Sequence, residues 1–211
     1  MAVSCGQSGS SGSCGLTSDS GCVFMEFSDG FTVIPSIRKM KEFEKSLQAP
    51  SPYILLSEVH IGNLKSLSEQ CRQHQKKVLV NLELIGGFSA DKTGLKLLKD
   101  FYQVDAVISA NAIKVNMAKA LGFTTVQRFF LIDSRSFDST LKSIQTTQND
   151  AIEILPGPMA PHVFKTIRKI RDVPLIAGGF ISTAAMVDKL NQAGFSAVTC
   201  SKPELWNATT K

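Results

Sequence analysis

Short apolar runs alternate with amphipathic segments from Phe31 to Cys200, and this alternation constrains the fold more than any other feature. Such runs, flanked by helix-type patterns, are typical of parallel strands that are buried on both faces. We predict that Pro35 ends the first strand and that the first helix runs from Lys39 to Leu47. The eight predicted strands are Phe31–Ile34, Tyr53–Leu56, Lys77–Leu82, Ala106–Ile108, Thr125–Ile132, Ala151–Leu155, Leu175–Ala177 and Ala197–Cys200.

Strands that alternate with helices form a parallel sheet, which is either closed into a barrel or open and doubly wound. No G-x-G-x-x-G sequence follows the first strand, which counts against a dinucleotide-binding open sheet. The strand before Gly178 and Gly179 is the seventh, and the strand that ends in Cys200 is the eighth. Eight strand–helix units within 211 residues therefore predict a compact (β/α)8 TIM barrel.

The first 24 residues differ in composition from the rest of the chain. They are rich in Ser and Gly, contain almost no aliphatic residues and carry Asp19 as their one charged residue. A segment of this composition buries too little apolar surface to become ordered. We therefore predict a flexible extension over residues 1–27 and a barrel domain over residues 28–211.

The composition also bears on location and partners. No apolar run approaches the ~18 residues of a membrane-spanning helix, and the N-terminus lacks the basic start and apolar core of a secretory signal. We expect a cytoplasmic protein that does not enter a membrane. The net charge of +5 permits a polyanionic partner such as nucleic acid without requiring one.

The residues that follow strands seven and eight point to an anion-binding site. Gly178 and Gly179 can bring backbone N–H groups close to a ligand, because glycine has no side chain to block the approach. Ser201 and Glu204 have the spacing of a capping box at the start of a short final helix. In barrels of this class, the loops after strands seven and eight commonly form a phosphate site. We therefore predict that Gly178, Gly179 and Ser201 bind a phosphate.

Two carboxylates near strand ends allow more than one interpretation. Glu153 lies inside strand six, where a carboxylate is costly unless it is paired, and Arg128 on strand five could pair with it. Glu153 either accepts hydrogen bonds from ligand hydroxyl groups or forms a structural ion pair. If the protein is instead an enzyme for a sugar or polyol phosphate, Glu83 or Glu153 would be its general base.

Other catalytic, metal and nucleic-acid signals are weaker. The three histidines, His60, His74 and His162, have no ligand spacing, so we predict no metal site. No nucleophile elbow or P-loop is present, and we assign no catalytic residue. The best candidates for an RNA-binding stripe lie on the sixth predicted helix: they are Lys165, Arg168 and Lys169.

Seven short motifs occur in the same order as in one protein family, and together they span Thr32 to Trp206. The motifs are Pro35-Ser-Ile-Arg38, His60-Ile-Gly-Asn-Leu-Lys65, Lys76-Lys-Val-Leu79, Val126-Gln-Arg-Phe-Phe-Leu-Ile-Asp133, Ile152-Glu-Ile-Leu-Pro-Gly157, Ile176-Ala-Gly-Gly-Phe-Ile181 and Ser201-Lys-Pro-Glu-Leu-Trp206. The chain resembles the glycerol-3-phosphate responsive antiterminators, also called glycerol uptake operon antiterminator regulatory proteins. It departs from their usual pattern after strand three, where Asn81 and Glu83 replace a His-x-Asp pair, and after strand four, at Asn111.

The resemblance implies a TIM-barrel regulator rather than an enzyme. Its effector would be glycerol 3-phosphate, without a further cofactor, and its partner would be the leader mRNA of glycerol-utilisation genes, whose premature termination it prevents. The phosphate site at Gly178, Gly179 and Ser201 would then hold the effector's phosphate. Glu153, Arg128 and Gly157 would face the glycerol moiety. The oligomeric state stays open, a homo-oligomer included.

Overall fold

The structure is a computed structural model that describes residues 30–208. Eight parallel strands close into a barrel in the order of the sequence, because the first strand pairs with both the second and the eighth. Numbering the barrel strands alone, they are β1 (Thr32–Ile37), β2 (Tyr53–Leu56), β3 (Lys77–Asn81), β4 (Ala106–Ser109), β5 (Thr124–Phe130), β6 (Ala151–Leu155), β7 (Leu175–Gly178) and β8 (Ala197–Cys200). This architecture confirms the predicted (β/α)8 barrel. The predicted extension, residues 1–27, lies outside the described residues.

Seven α-helices follow the first seven strands. They are α1 (Phe43–Leu47), α2 (Ile61–Gln73), α3 (Lys92–Asp100), α4 (Ala112–Ala120), α5 (Ser134–Thr146), α6 (Ala160–Ile170) and α7 (Ala184–Gln192). Single 3₁₀ turns stand at Met40–Glu42, Gly157–Met159 and Pro203–Leu205. The two-residue strands Val59–His60 and Ile85–Gly86 pair with each other outside the barrel. Within residues 30–208, no helix is both long and apolar enough to cross a membrane.

Three predicted boundaries were wrong. The first strand continues past Pro35 to Ile37, because its pairing passes at that point from β8 to β2. Proline has no N–H group to donate, and from Ser36 onward β1 is paired with β2 instead of β8. The first helical segment is a 3₁₀ turn followed by the five-residue α1, and β5 stops at Phe130 instead of Ile132.

Two apolar clusters hold the barrel together. One fills its interior and includes Ile34, Leu79 and Ile176, each at most 1% exposed. The other lies between the sheet and the surrounding helices. Helix α2 shows how the sequence builds this outer layer: Leu64, Leu67 and Cys71 recur at helical spacing, and all three are buried against the sheet.

The two ends of the barrel differ in charge. We define the basic face as the last four residues of each helix, the loop that follows and the first residue of the next strand. It contains ten basic residues, namely Lys45, Arg72, Lys76, Lys77, Lys99, Lys119, Arg168, Lys169, Arg171 and Lys189. Its five acidic residues are Glu44, Asp100, Asp105, Asp150 and Asp172. At the opposite end, which we call the mouth, the loops after the strands and the first four residues of α2–α7 contain seven basic and six acidic residues.

Candidate functional site

The inward-facing side chains change from apolar to polar towards the mouth. Successive inward positions on a strand are two residues apart. The interior layer that contains Ile34, Val126, Ala151, Ile176 and Ala197 is entirely apolar. Two residues further along the same strands stand Ser36, Arg128, Glu153, Gly178 and Thr199. The alternation of the strands thus delivers a layer of polar side chains to the mouth end of the barrel interior.

Glu153 and Arg128 form a buried ion pair across β6 and β5. Arg128 Nε lies 2.6 Å from Glu153 Oε2, and the two side chains are 11% and 0% exposed. Thr199 Oγ1 donates to the other carboxylate oxygen of Glu153 at 2.6 Å. Each oxygen of the buried carboxylate therefore has a partner, as its desolvation requires. Of the two interpretations left open by the sequence, the ion pair is present in the structure.

Gly178 makes room for this buried carboxylate. A Cβ atom at position 178 would lie 2.5 Å from Thr199 Oγ1 and 2.6 Å from Glu153 Oε1. Both distances are shorter than van der Waals contact, so a side chain would displace the Thr199–Glu153 hydrogen bond. The glycine is thus explained by close packing inside the barrel, and Gly178 does not line the neighbouring cavity.

A cavity of 490 Å³ opens at the mouth above the polar layer. Its volume is within the range of small-molecule sites. The cavity is lined by the ends of β1, β2, β5, β6, β7 and β8, and its lining residues are Ser36, Arg38, Ser57, Arg128, Leu155, Gly179, Phe180, Ile181, Ser182, Thr199, Cys200, Ser201 and Lys202. Of the residues predicted from the sequence, it brings together Arg128, Gly179 and Ser201.

Three cations line the mouth cavity. Arg128 reaches Glu153 through Nε, and no residue in 30–208 accepts a hydrogen bond from its Nη atoms. Arg38 Nε donates to Glu58 at 2.7 Å, and Lys202 Nζ donates to the carbonyl oxygen of Ser182 at 3.3 Å. Sequence reasoning missed Arg38 and Lys202 as site residues, although both fall inside the family motifs, each one or two residues past the end of a strand.

The loop after β7 turns sharply beside the cavity. Gly179 has a φ of 73° and Phe180 a φ of 58°, the left-handed region that glycine adopts freely and an aromatic residue does not. The N–H groups of Gly179 and Ser201 donate to no other residue within the described part of the chain. Both residues therefore offer backbone donors at the cavity.

The predicted capping box at Ser201 was wrong. The final helical segment is the single 3₁₀ turn Pro203–Leu205, whose N-cap is Lys202, and no side chain caps it. The Lys202 N–H instead contacts Cys200 Sγ at 3.4 Å. Ser201 is exposed and lines the mouth cavity.

Gly157 lies behind the cavity wall. It is buried, its N–H donates to the carbonyl oxygen of Gly179 at 3.0 Å, and a Cβ atom there would lie 2.4 Å from Ile181 Cδ1. The contact with Gly179 positions the loop after β7. Gly157 is absent from the cavity lining, so its predicted contact with a ligand stays a prediction.

A separate polar cluster occupies the ends of β3 and β4. Ser109 Oγ donates to Glu83 Oε1 at 2.5 Å, Lys114 Nζ lies 3.8 Å from the same oxygen, and the Glu83 N–H donates to Asn81 Oδ1 at 3.1 Å. Asn111 caps α4 by accepting from the N–H groups of Ile113 and Lys114. Of the positions where the sequence departs from the family pattern, Asn81 and Glu83 thus bond to each other, and Ser109 links Asn111 to Glu83. None of the three lines the mouth cavity.

The residues of the predicted RNA stripe on α6 are exposed, but they differ in their contacts with other residues. Lys165 and Lys169 point into solvent, whereas Arg168 contacts Asp172 at 2.9 Å and donates to the carbonyl oxygen of Val173 at 2.8 Å. Arg168 and Lys169 belong to the basic face, at the end of the barrel opposite the mouth cavity.

The described residues include no group of three or more His, Cys, Asp or Glu side chains that could hold a metal ion.

One reactive group borders the mouth cavity: Cys200 is 2% exposed, and burial raises the pKa of its thiol above the ordinary value. A thiol with a raised pKa carries little thiolate at neutral pH and is a poor nucleophile. Cys200 therefore lines the mouth cavity as a neutral thiol.

Comparison with known proteins decides the family. The model of the family described as glycerol-3-phosphate responsive antiterminator matches residues 33–206, which is most of the chain. The chain belongs to this family. A solved relative, a glycerol uptake operon antiterminator regulatory protein from Listeria monocytogenes, is 32% identical, with 83% of this chain and 94% of that chain covered and a TM-score of 0.78.

Two further relatives align with most of the chain. A glycerol uptake operon antiterminator-related protein from Thermotoga maritima is 25% identical, covers 84% of this chain and 98% of that chain, and has a TM-score of 0.75. The uncharacterized protein YgcP of Escherichia coli is 26% identical over 179 residues, or 85% of this chain and 93% of YgcP. The alignments thus extend over nearly the whole length of each relative.

Proposed function

We propose that the protein is a cytoplasmic, non-enzymatic regulator that binds glycerol 3-phosphate in the mouth cavity. In response it acts on the leader mRNA of glycerol-utilisation genes and prevents premature termination of transcription. The observation that carries the proposal is the mouth cavity of this antiterminator-family chain, where three cations and free backbone N–H groups surround a space of small-molecule size.

The phosphate is assigned to the side of the cavity formed by the loops after β7 and β8. Gly179 and Ser201 offer N–H groups without another acceptor among residues 30–208, and Lys202 adds a positive charge beside them. Backbone N–H groups and an ammonium group together favour a dianionic phosphate. Gly178 contributes indirectly, because it lets β7 pack closely on β8 and so places Gly179.

The glycerol moiety is assigned to the Arg128 side of the cavity. Because both Glu153 oxygens already accept hydrogen bonds, Glu153 acts by holding the Arg128 guanidinium, whose Nη atoms remain available to ligand hydroxyl groups. A guanidinium held by a buried carboxylate is fixed before the ligand arrives, which lowers the entropic cost of binding. Gly157 supports the same site through its hydrogen bond to Gly179.

The enzyme alternative rests on Glu83 or Glu153 as a general base. Glu153 is fully buried and paired on both oxygens, and Glu83 lies outside the mouth cavity, bonded to the buried Ser109 hydroxyl. A general base must reach the proton that it removes, either directly or through one water. The geometry therefore favours ligand binding over proton transfer in the mouth cavity.

Isothermal titration calorimetry with glycerol 3-phosphate, glycerol and inorganic phosphate tests the proposal. We expect glycerol 3-phosphate to bind more tightly than either fragment, because it alone occupies both sides of the cavity. Gly179→Asp should weaken its binding by a factor of 100 or more, about 2.7 kcal/mol, through bulk and charge repulsion. Gly30→Asp is the control, since Gly30 also has a positive φ and a Cβ there would meet nothing within 4 Å.

Two outcomes would contradict the proposal in different ways. If glycerol 3-phosphate bound no more tightly than its fragments, the effector would be wrong. If Gly179→Asp bound it like the Gly30→Asp control, the phosphate would lie elsewhere. The same preparations, assayed for RNA binding with and without glycerol 3-phosphate, would show whether the ligand distinguishes the two states that a switch requires.

A further inference from the structure

A second cavity, of 380 Å³, opens at the basic face, at the end of the barrel opposite the mouth. It lies between the starts of β2, β3, β4 and β5 and the ends of α2 and α3. Three cations, Arg72, Lys77 and Lys99, line it together with one carboxylate, Asp105. The cavity therefore has an excess of positive charge, and nothing in the proposed effector site uses it.

The cations of this cavity are held in different ways. Arg72 donates to the side chain of Gln103 and, at 3.1 Å, to its carbonyl oxygen, and Lys99 Nζ donates to the Leu121 carbonyl oxygen at 2.5 Å. Both are thus positioned by neutral acceptors, which leave their charge uncompensated. Lys77 Nζ lies 5.6 Å from the Tyr53 ring centroid and donates to no acceptor within residues 30–208.

Asp105 compensates only part of this charge. Its Oδ2 accepts the Val78 N–H at 2.7 Å, so the carboxylate is anchored to the start of β3, and no ion pair links it to the three cations. A cavity with three positive charges and one such carboxylate attracts an anion, and a phosphate group is one of the anions that lysine and arginine side chains bind well.

The surface around the cavity extends the positive charge. The basic face has ten basic and five acidic residues, against seven and six at the mouth. Two of its acidic residues are used within ion pairs, Asp150 with Lys119 and Asp172 with Arg168. Cations near the C-terminal end of a helix are also stabilised by the helix dipole. That effect acts within each helix, so it does not explain why cations from several elements line one cavity.

An exposed aromatic residue, Phe101, lies in the sequence between Lys99 and Gln103, which both line the cavity. Phe101 follows α3, two residues after Lys99, and is 49% exposed. Its ring packs edge-on against Tyr102 with centroids 5.0 Å apart, and Lys65 Nζ lies 4.0 Å from its centroid. Aromatic rings next to cations are the combination that binds single-stranded RNA, because bases stack on the rings while phosphates meet the cations.

We propose that RNA docks on the basic face, with a backbone phosphate in the cavity among Arg72, Lys77 and Lys99 and an unstacked base on Phe101. This inference rests on the proposed function, since it names the surface on which the RNA of that function binds. It places effector and RNA at opposite ends of the barrel. In this arrangement the α6 residues Lys165 and Lys169 lie at the periphery of the RNA-binding surface and not at its centre.

The experiment compares two matched double variants. Lys77→Gln with Lys99→Gln removes two charges from the cavity, whereas Lys92→Gln with Lys96→Gln removes two charges from the start and middle of α3, away from the basic face. Binding to a labelled single-stranded RNA of about 20 nucleotides is measured by fluorescence anisotropy over a range of salt concentrations. Thermal melting of each variant checks that the fold is retained.

We expect the cavity variant to bind RNA at least about tenfold more weakly at low salt, with a slope of log K against log salt smaller by about 0.7, because one phosphate contact is lost. The control variant should keep the wild-type slope. Equal effects of the two variants, or none from the cavity variant while the wild type binds RNA, would overturn the basic face as the site. A wild-type protein that binds no RNA would overturn the proposed function itself.

A crosslinking experiment on the wild-type protein gives an answer even if the cavity variant does not fold. RNA that contains 4-thiouridine is irradiated in the complex, and the crosslinked peptides are identified by mass spectrometry. We expect the peptide that contains Phe101 and Tyr102 to carry the RNA. Crosslinks confined to the mouth loops, for example at the exposed Phe180, would contradict the proposal.

Discussion

The mouth and the basic face hold their charged side chains in different ways. At the mouth, the Glu153 carboxylate is fully buried, and it fixes Arg128 inside the barrel wall. At the basic face, five of the ten cations are exposed, and Arg72 and Lys99 of the cavity are held by neutral carbonyl and amide oxygens. The first arrangement provides a preorganised pocket for one small molecule, and the second provides a broad field for a polyanion.

Overall composition is therefore a poor guide to where a partner binds. A net charge of +5 is mild for a chain of 211 residues. The charged residues are, however, distributed unequally between the two ends of the barrel. Positive and negative charges nearly balance at the mouth, whereas the basic face has an excess of five positive charges. Under the proposed function, the barrel separates an effector site at the mouth from a surface suited to a polyanion. Two pairs of variants and one pair of cysteines test this separation.

The largest expected effect comes from the buried carboxylates. Glu153→Gln should lower the free energy of unfolding by about 3 kcal/mol, because it leaves the Arg128 charge buried without a partner. The matched change at the other end, Asp150→Asn, should cost about 1–2 kcal/mol. Its partner Lys119 is 29% exposed and can be hydrated, although the bonds of Asp150 to Thr125 would weaken.

Urea unfolding of both variants measures the two costs. If Glu153→Gln and Asp150→Asn lowered the free energy of unfolding by similar amounts, Arg128 would reach water more easily than its 11% exposure indicates. The comparison between a preorganised mouth and a hydrated basic face would then lose its main support.

The second pair concerns glycines. Gly178→Ala should destabilise the protein by about 2 kcal/mol and weaken glycerol 3-phosphate binding, because the new methyl group meets two hydrogen-bonded interior atoms. Gly122→Ala at the basic face should cost about 1 kcal/mol, since it strains a residue with a φ of 77° and its new methyl group meets only Lys99 Nζ, at 2.6 Å. Thermal melting and calorimetry report the two effects, and a Gly122→Ala variant with impaired effector binding would contradict the separation.

The smallest effect is expected in thiol chemistry. Burial raises the pKa of Cys71 to about 12, and it also raises the pKa of Cys200, which borders the mouth cavity. Both thiols should react slowly with iodoacetamide at neutral pH, Cys200 faster than Cys71, and the Cys200 rate should rise between about pH 7 and pH 9 as thiolate forms. Glycerol 3-phosphate should slow alkylation at Cys200 alone.

Peptide mapping follows each of these two cysteines separately. Protection of Cys71 by the ligand would mean that the effector acts on the outer helical layer, where Cys71 packs. A Cys200 rate that does not change with glycerol 3-phosphate would place the effector away from the end of β8.

Much of the fold could be predicted from the sequence, because it depends on periodicity. The apolar runs and the helical spacing of residues such as Leu64 and Leu67 are local patterns, and the apolar runs place the eight strands to within a few residues. The errors fall where tertiary pairing overrides a local signal. Pro35 continues β1 because pairing passes from β8 to β2, and Ser201 does not cap a helix because only one 3₁₀ turn follows it.

The site could be predicted only in part, because it depends on which strand ends meet. The sequence alone determined the barrel, the strand numbers of Gly179 and Ser201, and the pairing of Glu153 with Arg128 as one of two alternatives. Closure of the barrel decided the rest, because it brings residues more than forty positions apart, such as Glu153 and Thr199, within 2.6 Å. It also gathers the cations of Arg72, Lys77 and Lys99 around one cavity, a convergence that no run of adjacent residues reveals.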